Sequence, residues 1–255
     1  MPEKNININD GDDYELAGRF SYITNALNYC GPSEGSKLFY KYITGEDRSA
    51  ELAEKIRESF KKFEALYPYL KFISEKHGKD FLDHDVVEAY WIGNSLLDKF
   101  NEKDMCELVE RLVQRGLPKN LGDELIINMP KGAFPHHAFH VMYVGVGNVT
   151  GHVKTTIQNM DNCRPSAGRI LHIVDDKLIV ETDQLETKDG LLSLVPDEKT
   201  VVYDRKMLPD IKLGDHVAIH WGFAGKKLNN EQVHNLKKYT IRAIQSRNLI
   251  PNHFV

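Results

Sequence analysis

The sequence predicts an α+β protein: an α-helical N-terminal domain followed by a small OB-like β-barrel with a C-terminal helix. Three observations carry that expectation. Apolar residues recur every three or four positions through much of the first 120 residues, short β-prone runs follow one another from Gly168, and a capped amphipathic stretch closes the chain. The expected divisions are a helical domain over 1–130, a histidine-containing connecting segment with β character over 131–162, and the barrel with its helix over 163–255.

The helices come first. "NALNYCGPSEGSKLF" offers Ser33 or Ser36 as the cap of a helix through Leu38, Phe39 and Tyr42. Leu52, Ile56, Phe60 and Phe63 share one face of a helix over 49–66, and "LYPYLKFISEKHG" supplies another that begins after Pro68 and stops at Gly78. Asp83 is the expected N-cap of the next, with Val87, Tyr90, Trp91, Asn94 and Leu97 along one stripe. Met105, Leu108, Val109, Leu112 and Val113 repeat the period over 102–115.

After Pro130 the pattern changes. "HVMYVGVGNVTGHVK" carries valines and isolated glycines without a helical period, as a strand broken by turns or bulges does. The runs "RILHIV", "KLIVET", "LLSL", "TVVYD" and "HVAIH" read as strands, with a hairpin turn at Asp175-Asp176. Asn229 and Gln232 make a capping-box pattern ahead of Val233, Leu236, Thr240, Ile241 and Ile244. Five short strands and one helix suit a small, partly open barrel.

Composition narrows the function. The formal charge is −4 over 255 residues, split as −6 up to Cys163 and +2 beyond it, too little for a nucleic-acid binder that works by field alone. Cys30, Cys106 and Cys163 are odd in number and far apart, which argues against a disulfide framework and for a reducing compartment, with the cytoplasm as the expected location. The polar start "MPEKNININDGDD" does not read as a signal peptide, and no apolar run is long enough to read as a membrane span. Dinucleotide, P-loop and nucleophile-elbow motifs are missing, as is a paired-cysteine zinc ribbon.

The remaining chemistry lies in histidines and cysteines. "FPHHAFHV" holds His136, His137 and His140 within five residues; a helix or an extended chain can each bring His136 and His140 to one side, and His152 is a further imidazole nearby. The segment lacks the glutamate of HExxH, so the motif supplies no general base. The alternative is a polar turn whose histidines only hydrogen-bond. Cys163 and His220 combine a soft thiolate with an imidazole of intermediate softness, ligand types suited to iron, nickel or zinc. The alternative for them is a cysteine without chemical role and a strand histidine bonded to backbone. Cys30, before Gly31-Pro32, is an additional candidate ligand, Cys106 reads as core, and Tyr90, Trp91 and Asn94 read as a pocket wall.

The spacing of Cys163 and Gly168, the strands that follow, "LGDHVAIHWGFAGKKLNNEQ" and the last helix together resemble the hydrogenase expression/formation (HypC/HupF) family, small chaperones that assemble the iron centre of nickel–iron hydrogenases. The likeness spans roughly residues 160–245. Cys163 and Gly168 match the family's essential cysteine and following glycine, and His220 matches its later strand histidine. The resemblance implies an iron-handling pair, Cys163 with His220, and a hydrogenase-maturation protein as partner.

The leading expectation is a metal or metallocofactor carrier with Cys163, His220, His136, His137 and His140 gathered near the domain junction, where pockets often lie. Iron or an iron-containing group is its expected cargo. The alternatives are an iron- or haem-dependent redox enzyme using the same residues, and a metal-free interaction scaffold. Lys237, Lys238, Arg242 and Arg247 on the last helix are available to an acidic partner. No nucleic acid or membrane is expected among the partners.

Overall fold

The structure, a computed structural model, describes residues 11–250. Residues 1–10, which hold most of the polar start, lie outside the described residues. Helices α1 (Gly11–Ala26), α2 (Gly35–Ile43), α3 (Ala50–Phe60), α4 (Leu66–His77), α5 (His84–Trp91), α6 (Glu102–Val113) and α7 (Lys119–Ile127) form the first part. No described helix is long and apolar enough to cross a membrane.

Their ends follow local chemistry. Ser49 and Asp83 cap α3 and α5 by accepting from Leu52 N and Asp85 N, Gly78 ends α4 in the left-handed conformation, and Asn101 with Asp104 closes a capping box on α6. Neither Ser33 nor Ser36 caps α2: Glu34 sits at its N-cap without a side-chain bond, and the Ser36 amide donates to the buried Asn25 Oδ1. Asn25 also donates to the carbonyls of Cys30 and Pro32, and so holds the α1–α2 loop. Asn94 leaves the expected stripe because α5 stops at Trp91. It caps a separate 3₁₀ turn, Ser95–Lys99, through Leu96 N.

The connecting segment is helical, not β. Residues 131–162 contain the one-turn α8 (His137–Phe139), a π-helical stretch over His140–Gly145 and most of α9 (Ile157–Cys163). Every residue from Ala133 to Val146 is buried. A helix buried on all sides has no polar face, so its period is invisible in sequence, and its valines imitate a strand.

The last part forms a closed barrel in the order β1-β2-β3-β5-β4, from β1 (Ser166–Val174), β2 (Lys177–Lys188), β3 (Leu191–Tyr203), β4 (His216–His220) and β5 (Phe223–Leu228). The runs "LLSL" and "TVVY" belong to one strand. Pro196 is tolerated there because β3 pairs with β5 only at Val202 and Tyr203 and is otherwise an edge. That parallel β3–β5 pair closes the expected partly open barrel. The Asp175-Asp176 turn joins β1 to β2, and Asp189-Gly190, both left-handed, joins β2 to β3 as a type I′ turn requires.

Ile170, Leu178, Val180, Val201, Val217 and Ile219 fill the barrel. Gly168 is required at this wall: a Cβ there would stand 2.6 Å from Ile219 Cδ1 and 3.0 Å from Val180 Cβ. A second apolar cluster runs without a break from the helices to Leu185, Ala218, Phe223 and α10 (Asn230–Arg247). The capping box of Asn229 and Gln232 starts α10, whose inward side uses Leu236, Tyr239, Thr240, Ala243 and Ile244, with Ile241 exposed. Of its basic residues, Lys238 is exposed beside the Tyr239 ring, and the other three are engaged. Arg247 is buried and donates to Gly190 O, Lys237 pairs with Asp183, and Arg242 pairs with Asp98 and covers the Phe134 ring.

Candidate metal centre

Three side chains from distant parts of the chain meet between the helices and the barrel. The ligand atoms of His137, Cys163 and His220 lie within 4.8 Å of one another, the one such group of three among the described residues. Each is placed by an identifiable local device.

His220 ends β4. Its Nδ1 donates to Phe20 O on α1 at 2.9 Å, and α1 is itself tied to the barrel by Arg19, which donates to the carbonyls of Met207 and Gly225. With Nδ1 carrying the proton, Nε2 presents a buried lone pair that makes no well-formed hydrogen bond and faces the Cys163 backbone. Cys163 ends α9, which Thr156 caps at its start. Helix continuation is blocked by Pro165, so Arg164 turns extended, φ −69 and ψ 130, and the Cys163 carbonyl is left without a helical donor. His137 supplies one: its Nε2 lies 3.0 Å from Cys163 O and 3.6 Å from Cys163 Sγ, while its Nδ1 lies 2.8 Å from Tyr90 Oη.

A buried ion pair fixes the same turn from the barrel side. Asp161 accepts from Arg164 at 2.8 Å, from the Leu185 amide at 2.8 Å, and from Lys199. Arg164 reaches on to Asp183 O. Cys163 is thereby held between two anchored residues.

Burial dominates the electrostatics. It lowers His220 to about 4 and drives His137 well below the ordinary imidazole value, where His220, His140 and His136 add repulsion. Both imidazoles are neutral, as ligation requires. Burial pushes the Cys163 thiol up to about 12, against the opposing pull of the Trp221 indole. Cys30 is raised still further by burial, Glu64 and Cys163.

The donor set suits a borderline metal ion. Ion–nitrogen and ion–sulfur bonds of about 2.05 and 2.3 Å at a tetrahedral angle separate N and S by about 3.6 Å, which is the Cys163–His137 spacing already present. His137 can ligate by moving its proton to Nδ1, where Tyr90 Oη accepts it. A fourth position stays open on the adjoining cavity of about 60 Å³. By volume that holds roughly four waters. Tyr90, Trp91, His140, Cys30 and Trp221 stand in its wall, and no Asp, Glu, Lys or Arg does.

The other anticipated residues separate. His136 is the N-cap of α8, its Nδ1 accepting from Ala138 N, so it does not join the group. His140 lines the cavity and bonds Tyr69 Oη at 3.1 Å, so His137 and His140 share a face and His136 does not. Burial lowers His140 to about 4. His152 is exposed and outside the cavity, Asn94 is outside it as the 3₁₀ cap, and Cys106 lies between α6 and α7 near Ile126 O. Trp221 and the Asp161–Arg164 pair were not foreseen. The aromatic next to His220 and the salt-bridge spacing of three around Cys163 are the signals that pointed to them.

A family model described as a family of unknown function, DUF6390, matches residues 9–252. No curated protein and no solved structure matches the chain.

Proposed function

The chain belongs to the DUF6390 family, whose function is unknown, and on its own geometry we propose that it is a carrier that holds one transition-metal ion, or an iron-containing group, on His137, Cys163 and His220. One observation carries the reading: a ring nitrogen of buried His220 lies within 4.8 Å of a thiol and a second imidazole, and its Nε2 makes no well-formed hydrogen bond. A buried acceptor without a well-formed hydrogen bond is costly, and an ion removes that cost.

Iron is the cargo implied by the likeness of Cys163, Gly168 and His220 to the HypC/HupF family, and the meeting of that cysteine and histidine supports it. Zinc, nickel and cobalt suit the same donors. A cavity of about 60 Å³ favours an ion with small ligands over a porphyrin. The lack of a carboxylate in the wall favours carriage over hydrolysis, since no acidic general base stands beside the ion. Three protein ligands with an open position suit a cargo that must leave again. Because His137 and His220 are buried, hand-over to a hydrogenase-maturation partner requires the wall beside them to open.

Anaerobic purification from the native host, with metal analysis and infrared and visible spectra of one sample, tests the proposal. One equivalent of metal in the wild type and none in the Cys163→Ala/His220→Ala double variant is expected. Stoichiometric metal that survives the double substitution, or a metal-free wild type that also fails to take up added Fe(II), Co(II) or Zn(II), refutes it. The metal-free scaffold would be favoured by the second result.

A further inference from the structure

Four buried side-chain polar atoms of residues that line this one cavity lack a well-formed hydrogen bond: Ser21 Oγ, Trp91 Nε1, His220 Nε2 and Trp221 Nε1, whose N–H leans only on Cys163. The His220 lone pair is answered by an ion. The two indole N–H groups can only donate and Ser21 Oγ can donate as well, and a cation cannot satisfy a donor.

Charge leads to the same place. A divalent ion on one thiolate and two neutral imidazoles keeps one positive charge, and the cavity wall has no acidic side chain to balance it. Unused donors, one residual positive charge and an open coordination position together describe a site for a small monoanion.

Trp221 adds an independent observation. It begins the two-residue turn between β4 and β5 with φ 51, ahead of Gly222 at φ 69. A bulky side chain in the left-handed region is an outlier that the surroundings must hold in place. Here that backbone sets an indole directly after His220, with its ring 4.6 Å from Tyr29 and its backbone amide bonded to Asn162 O. Trp91 lies across the site, with its ring 4.3 Å from His137, 5.4 Å from His220 and stacked on Phe20.

We propose that the open position beside His137, Cys163 and His220 takes a small hydrogen-bond-accepting monoanion of the size of azide or formate, held by the indole N–H groups of Trp221 and Trp91 with Ser21 as a third donor. This rests on the metal reading above. The cavity volume limits the anion to a few heavy atoms.

The test uses the full chain, anaerobic, loaded with Co(II) and titrated with azide under visible absorption. Saturable change at one azide per cobalt is expected, with affinity at least about tenfold weaker in Trp221→Phe and in Trp91→Phe, as loss of a hydrogen bond to a charged group implies. Ser21→Ala, which removes a single oxygen, keeps the result readable if an indole variant folds poorly. It is expected to weaken azide as well, with cobalt stoichiometry and circular dichroism unchanged. Failure of the wild type to bind Co(II) overturns the metal reading and this one together. Cobalt bound with a spectrum indifferent to azide, or azide affinity in all three variants equal to that of the wild type, overturns the anion site alone. Azide binding that appears only in Cys30→Ala also overturns it, because the second thiol would then hold the position.

Discussion

Metal capture is expected to release one proton per ion across the range from about pH 5 to about pH 8. Burial holds His220 at about 4 and His137 well below the ordinary imidazole value, so both imidazoles are already neutral there and give up nothing. Cys163, pushed up to about 12, is still a thiol and must lose its proton to ligate. One exchanging group makes the apparent affinity rise tenfold per pH unit, about 1.36 kcal/mol, and so about 300-fold between about pH 5.5 and pH 8. Solvated histidines of pKa about 6.5 would behave differently, with release climbing toward three protons at the acid end. Chelator competition with Zn(II), together with calorimetry in two buffers of unequal ionisation enthalpy, counts the protons directly. A count near zero would remove Cys163 from the ligand set. A count approaching three at low pH would mean that the imidazoles are open to water, contrary to their burial.

Three further outcomes are expected. Tyr90→Phe removes the group that receives the His137 Nδ1 proton, so metal affinity drops by about 10- to 100-fold while the melting temperature moves little; unchanged affinity would mean that His137 ligates without this support. Asp161→Ala strands the buried Arg164 guanidinium and is expected to cost about 3–5 kcal/mol in urea unfolding, a loss that exposed pairs such as Lys119–Asp123 do not approach. His220 and His140, at about 4 in the fold against about 6.5 unfolded, make the unfolded chain the better proton binder between those values. Their contribution is complete above about pH 6.5 and is lost as pH falls toward 4, up to about 3 kcal/mol for each; a urea midpoint equal at pH 7 and pH 5 would contradict it.

Much of the fold was legible because its cues are local. Asp83, Gly78 and the Asn229–Gln232 box announce helix ends through single side chains, and the barrel strands alternate as half-buried strands do. Where burial is complete, that legibility fails. The segment from Ala133 to Val146 has no exposed side to set a period, so α8 and the π-helical stretch looked like strand. Strand β5 was hidden for another reason: "FAGKKL" is short and weakly β-prone, and its place is set by closure against β3 and by α1 lying across it. Within "FPHHAFHV" the sequence could not single out His137. The choice depends on where Pro135 lets the helix begin, and on Tyr90, 47 residues earlier, whose hydroxyl receives the ring.

The three donors come from α8, the end of α9 and the end of β4, so no continuous stretch of the chain owns the site. An ion seated there would act as a rivet through the seam between helices and barrel. Parting that seam would dismantle the coordination sphere in the same motion, which makes cargo retention a readout of whether the two halves are docked.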